Sequence, residues 1–417
     1  MKHLNSKTPV FMIILINLLG YGLLSLMNDF SDIRILYSGI AVTITLSLSY
    51  IVVKHLSGCD GYIFLFVAML FSVGEIMLYR ISPSFGEKQI LWLILGVLVF
   101  FVAYCLVLKL NFWDKNGYIY YIMSLILFVA TFFIGSTIGG SRNWIRIASF
   151  TIQPSEIIKL LVIFFLADRY AHPARYKFKQ LSPAIVSSLI VYSVIGFMLL
   201  QREWGTSLLL LLIHFSLMFV FNDEKWMLAG NIVLGVIIGI LGCIFVSHIK
   251  LRINVWLNPW NDVMGSGYQV TQSLFAIAAG GFFGTGLGQG SPDFIPEVHS
   301  DFIYSAICEE FGVFGGIAIL MLYFMLVYRG IRISMKIKDT FYKTLAVGIS
   351  CMFGYQSFII LGGVTKFIPL TGITLPFISY GGSSLLVSFI SIAILEAVSN
   401  KEYVSIEQEE EIEVEED

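Results

Sequence analysis

Twelve mostly apolar stretches, each about 16 to 27 residues long, follow one another through this chain. A helix needs roughly 20 apolar residues to cross a bilayer. The stretches fall at about 9–27, 36–54, 61–80, 89–107, 118–138, 154–169, 183–200, 205–221, 226–247, 302–328, 343–363 and 380–399. Lipid tolerates no unpaired backbone groups, so the spans must be helical. The expected fold is all-α: a polytopic integral membrane protein of about twelve transmembrane helices with one large extracytoplasmic loop. Composition agrees, because 57% of the 417 residues are hydrophobic and only 13% are charged, too few to cover a soluble surface.

Basic residues are retained on the cytoplasmic side of a membrane. Arg169, Arg175, Lys177 and Lys179 share one loop, and Arg329, Arg332, Lys336, Lys338 and Lys343 share another. Placing both inside puts both termini in the cytoplasm. The segments 139–153, 247–300 and 364–379, which hold most of the unusual residues, then face outward. Nine of the 28 acidic residues lie in Glu402 to Asp417, which reads as a solvated, mostly disordered tail. Cys59, Cys105, Cys243, Cys308 and Cys351 have neither disulfide-framework nor metal spacing. The apolar segment after Lys2 and Lys7 lacks a cleavage pattern and reads as an anchored first helix.

Five outer stretches carry chemistry. In Gly139 to Leu160, Arg142 precedes Pro154, a residue suited to a first helical turn, and Glu156 and Lys159 then share one helix face. A lysine inside a membrane helix costs roughly 2.5–3.5 kcal/mol at its deepest position, so it requires a partner or an anionic ligand. Either Glu156 pairs with it as a structural staple, or it forms part of a cationic wall for a headgroup. Gln201 to Thr206 is a tight polar turn that adds a charge to the outer side.

In the long loop, Trp256 and Trp260 suggest interfacial anchoring. Tyr268 to Ala279 reads as an amphipathic helix. The run Gly284 to Gly290 has no preceding strand and faces away from nucleotide, so a flexible or closely packed turn is expected there.

Glu297, His299, Asp301, Glu309 and Glu310 fall within fourteen residues. Asp301 opens a helix, where a carboxylate also serves as a cap. At ~100° per residue, Glu309 and Glu310 point about 80° and 180° away from it. They are therefore expected to hold neighbouring helices or to pair with buried cations such as Lys159. In Gly362 to Leu386, Pro369, Gly372, Pro376 and the glycine pair at 381–382 forbid a continuous helix, so a broken re-entrant segment is expected. Gly382, Ser383 and Ser384 at the next helix start form a candidate anion site. Arg142, Lys159, Glu297, His299 and Ser379 join them as candidate substrate contacts, and Glu156, Glu309, Glu310 and Lys366 as supporting residues. No metal site is expected.

The runs QPSEIIKL, NPWNDVMGSGYQVTQS through PEVHSDFIYSAICEEFG, and PLTGITLPFISYGGSSLL resemble, in order and spacing, the FtsW/RodA/SpoVE (SEDS) family of bacterial membrane proteins. The resemblance covers about Gly61 to Ser399. It implies a ten-helix core over 61–400, two additional N-terminal helices over 1–60 and an acidic cytoplasmic tail over 401–417. It also implies a plasma-membrane peptidoglycan glycosyltransferase that polymerises lipid II into glycan strands on the outer face, in division or cell-shape control. The family's essential aspartate maps onto Asp301 and its basic helix residue onto Lys159. A class B penicillin-binding protein and other division or elongation proteins are the implied partners, and no nucleic acid is. No ligand spacing demands a cofactor, although a divalent cation, magnesium or manganese, at the pyrophosphate is compatible with the chemistry. Ser300 stands where the family has Thr, Arg202-Glu203 where Pro-Asp or similar is usual, and Val263 where Pro is common. The rival readings are a lipid II flippase and a non-catalytic scaffold of the cell-wall complex.

Overall fold

The computed structural model of the chain describes residues 7–27, 30–57, 61–110, 112–138, 141–147, 150–222 and 224–416. Its elements are α1 (Lys7–Met27), α2 (Ile33–Ser57), α3 (Tyr62–Ile81), α4 (Pro83–Lys109), α5 (Gly117–Ile134), β1 (Ser136–Ile138), β2 (Ser141–Ile147), β3 (Phe150–Ile152), α6 (Pro154–Ala171), α7 (Pro183–Leu200), α8 (Trp204–Phe221), α9 (Lys225–Phe245), α10 (Ser247–Leu257), α11 (Tyr268–Gly280), α12 (Ile303–Lys336), α13 (Thr340–Val364) and α14 (Gly382–Glu416). Among the described residues eleven helices are long and apolar enough to cross a membrane. The remaining expected span, α6, has the length but carries Glu156, Lys159, Asp168 and Arg169. Cys59 lies outside the described residues, and the other four cysteines are free.

The chain divides into two compact units, of which the first comprises Met1–Leu98, Cys243–Leu326 and Gln356–Gly381. Within it, α1 lies along α3. Asn17 Nδ2 donates to Ser72 Oγ at 2.9 Å, Ile76 fills the surface left bare by Gly20, and the Tyr21 and Tyr79 rings meet edge to face at 6.1 Å. Residues 72, 75, 76 and 79 form one helical stripe, so Glu75 belongs to this seam. It is 1% exposed, and neither of its carboxylate oxygens has a hydrogen-bond partner among the described residues. At its C-terminal end, α1 brings Met27 against Gly288.

The glycine-rich run is packed into a break in α12. Gly312, at φ 71°, interrupts the helix, and Phe282 O and Gly284 N leave no room for a Cβ there. The interrupted hydrogen bonds are replaced from outside: Thr285 N and Gly286 N donate to the carbonyls of Glu309 (2.9 Å) and Glu310 (3.0 Å), and Val313 N donates to Gly281 O (2.9 Å). The expected single span 302–328 is therefore two helices joined at a spliced kink. The cause of the bend is the inserted run, which takes over the hydrogen bonds of the helical ladder at a glycine.

Residues 365–381 run without helix between α13 and α14, as Pro369, Gly372 and Pro376 dictate. Their backbone is satisfied by side chains from other elements, the condition for irregular chain at membrane depth. Gln356 Nε2 donates to Thr374 O at 2.8 Å, Gln89 Nε2 to Ser379 O at 3.3 Å, and Tyr323 OH to Pro376 O. Gly74 on α3 permits the closest approach, since a Cβ there would lie 2.6 Å from Ile378 Cα.

The second unit comprises Val99–Gly242, Val327–Tyr355 and Gly382–Asp417. Its centre is α6, which starts on Pro154 and is buried everywhere except Ile157 and Ala171. At the far end of α6, the buried Asp168 carboxylate accepts from Gly117 N at 2.7 Å, Arg175 Nη1 at 2.7 Å and Tyr176 OH. These bonds tie the start of α5 to the basic loop after α6. The segment ahead of α6 is not plain loop: β1, β2 and β3 form an antiparallel sheet in that order. Its β-branched and aromatic residues, Trp144, Ile145, Ile147, Thr151 and Ile152, explain the preference for strand. The acidic tail also differs from expectation, because α14 continues to Glu416. A glutamate-rich segment without Gly or Pro extends an existing helix without a new nucleation step.

Candidate active site

In the first unit, the loop before α12 is clamped from several sides. Asp301 N and Ser300 N donate to Glu297 O at 3.2 and 3.1 Å, and Tyr380 N donates to His299 O at 2.9 Å. Ser379 Oγ donates to Ser300 O at 2.6 Å and accepts from Leu375 N at 3.0 Å. The His299 ring stacks on Phe85 at 4.2 Å. Ser379 and His299, expected as substrate contacts, thus brace the loop. Burial lowers the His299 pKa, with Glu297 opposing. Glu297 itself is exposed, at φ 54°.

The braced Asp301 carboxylate lines a cavity of about 210 Å³ together with Arg252, Trp256, Gln269, Lys366 and Leu370. Burial pushes the Asp301 pKa up to about 6, and the Arg252 cation restrains the rise. Arg252 and Trp256 stand one turn apart on α10 and both grip the broken segment. Arg252 Nη1 donates to the carbonyls of Leu370 at 3.2 Å and Thr371 at 2.7 Å, and Trp256 Nε1 to Lys366 O at 3.1 Å. The expected interfacial anchor Trp256 is therefore a brace for the cavity wall. Arg252 was not among the expected site residues. The cue available in the sequence was its i, i+4 spacing to Trp256.

Glu309 and Glu310 hold the glycine-rich run. Glu309 Oε1 accepts from Ser291 N at 2.9 Å, and Glu310 Oε2 from Gly288 N at 2.8 Å. The cation beside Glu310 is Arg80, at 3.2 Å, in place of the expected Lys159. Arg80 Nη2 also donates to Gly288 O and Gly290 O, at 3.2 and 3.0 Å.

In the second unit, Lys159 is 2% exposed, with its ammonium 2.9 Å from Glu156 Oε2. At the N-cap of the same helix, Gln153 Nε2 donates to Glu203 Oε1 at 3.2 Å, and Gln153 N donates to Ser383 Oγ at 3.3 Å. Glu203, expected only as an outer charge, is buried, and burial raises its pKa. Gly382, Ser383 and Ser384 open α14 as expected. The Arg142 backbone pairs with Thr137; its side chain lies outside the described residues. Among the described residues no three His, Cys, Asp or Glu side chains converge on one point.

These features define a class: polytopic α-helical membrane proteins whose loop-built pocket presents a carboxylate with a raised pKa. More narrowly, the FtsW/RodA/SpoVE family model, described as "Cell cycle protein", matches residues 47–404, and the chain belongs to that family. Among its relatives, the protein named peptidoglycan glycosyltransferase RodA of Mycobacterium tuberculosis is 36% identical, covering 80% of this chain and 76% of the relative. Stage V sporulation protein E of Bacillus subtilis is 34% identical, covering 82% and 96%. A solved structure described as a peptidoglycan synthase complex coordinating polymerization and crosslinking contains a chain 25% identical, with a TM-score of 0.71 and coverage of 83% and 98%. The Thermus thermophilus rod shape determining protein RodA, 24% identical with a TM-score of 0.62 and coverage of 84% and 99%, shares the fold.

Proposed function

We propose that this chain is a peptidoglycan glycosyltransferase that polymerises lipid II on the outer face of the plasma membrane. The observation that carries the reading is Asp301, a clamped carboxylate with a pKa of about 6 in a cavity beside the membrane-spanning helices. A general base works best when its pKa lies near the working pH. Asp301 takes the proton of an acceptor sugar hydroxyl as that oxygen bonds to the anomeric carbon of the donor. The bond from that carbon to the lipid diphosphate breaks, and the diphosphate leaves with the electron pair. Lys366 in the cavity wall offers positive charge to it.

The basic clusters at 169–179 and 329–343 support cytoplasmic termini and an outward-facing Asp301. The synthase complex named above supports a class B penicillin-binding protein as partner. Purified protein given lipid II, with and without that partner, tests the reading. Glycan chains should form, and Asp301→Asn should slow polymerisation by about 10²- to 10⁴-fold. Undiminished polymerisation by Asp301→Asn rules out the assigned base. Lipid scrambling in vesicles without polymer formation by the unmodified protein would favour a transporter.

A further inference from the structure

Arg252 stands opposite the candidate base, oriented by something other than that base. Its Nη1 is fixed by the carbonyls of Leu370 and Thr371. The next residue, Gly372, has φ 71°, and a Cβ there would lie 3.3 Å from Arg252 Nη2 and 3.4 Å from Asp301 Oδ2. Guanidinium and carboxylate thus face each other across the space that a side chain at 372 would occupy. Three other titratable groups face this carboxylate or line its cavity. Glu297 is a like charge on the same loop and raises its pKa. His299, 3.7 Å from Glu297, is stacked on Phe85. Lys366 lies in the cavity wall. Among these neighbours the Arg252 head is the charge that backbone carbonyls hold in place.

We propose that Arg252 is a positioning residue for Asp301: it ties the Leu370–Gly372 backbone to the base and supplies the fixed positive charge that keeps the carboxylate in its proton-accepting form. This role rests on the reading of Asp301 as the base. It differs from a merely structural brace in one respect. A brace, when lost, lowers the rate at every pH, whereas loss of the charge moves the pH at which the base titrates.

The experiment is the pH dependence of lipid II polymerisation by the full chain with its partner, for the unmodified protein, Arg252→Gln, Arg252→Lys, Gly372→Ala and Asp301→Asn. The acid limb of the unmodified protein should lie at about 6. An opposite charge at close range lowers a carboxylate pKa by about 1–3 units. Arg252→Gln should therefore move the limb up by about one unit or more, with most of the lost rate recovered at alkaline pH. Arg252→Lys keeps the charge and should leave the limb near its original place. Gly372→Ala puts a methyl group between the pair on a strained backbone, and should move the limb upward by a smaller amount. If Arg252→Gln does not fold, the limb of Gly372→Ala decides. A limb that stays in place in the folded variants, whatever the loss in rate, overturns the proposal. Asp301→Asn separates the two failures: an active Asp301→Asn removes the base itself, whereas an inactive one beside an unmoved Arg252→Gln limb removes only the role of Arg252.

Discussion

The molecule holds two opposite-charge pairs of different construction. In the second unit, Lys159 and Glu156 touch at 2.9 Å, and both are almost fully buried. In the first, Arg252 is bonded to backbone carbonyls and faces Asp301 across an open position beside a cavity. A closed, dry pair has its charges already cancelled, and opening it exposes each ion to the full desolvation penalty. A pair held apart leaves the carboxylate available to an incoming proton. Stability is therefore sought in the first kind of pair and chemistry in the second.

Substitutions can break this contrast. The largest expected effect on folding is that of Lys159→Met, which strands the Glu156 charge and should cost about 3–5 kcal/mol, read as a fall in thermal unfolding temperature in a fixed detergent. Adding Glu156→Leu should restore much of the loss; a double variant as unstable as the single one would show that the pair is not what matters. Glu75 offers the converse case, a buried carboxyl without a hydrogen-bond partner among the described residues. If pairing is what makes such a group tolerable, Glu75→Leu should raise stability by about 1–3 kcal/mol, the penalty of an unsatisfied buried polar group. The smallest effect belongs to the open side. Trp256→Phe removes one hydrogen bond to Lys366 O and should cost about 0.5–1.5 kcal/mol, with a drop in polymerisation larger than the drop in melting temperature if that bond shapes the cavity.

The apolar stretches made the helices legible, because bilayer thickness imposes one length on each of them. Pro154, the Pro and Gly residues at 369–382, and the α11 segment were equally readable, since each follows from local backbone chemistry. Other features depended on tertiary context. The kink at Gly312 needs the glycine-rich run to supply hydrogen bonds from about 25 residues earlier in sequence, and no local periodicity encodes that. Asp301 was visible as an acid at a membrane boundary. Its opposing cation was not, because Arg252 lies about 50 residues away in sequence and meets it only through the folded segment at 370–372. Glu310 was expected to seek a cation, but only the fold could choose Arg80 over Lys159.

The broken segment 365–381 also bears on the order of assembly. Gln89, Arg252, Trp256, Tyr323 and Gln356, whose side chains satisfy its backbone, all precede it in the chain. During synthesis those partners have emerged before the segment does, so a stretch that lipid could not tolerate alone enters a prepared lining. A circular permutation that moved residues 365–381 ahead of α3 would reverse that order and leave their carbonyls without partners at insertion.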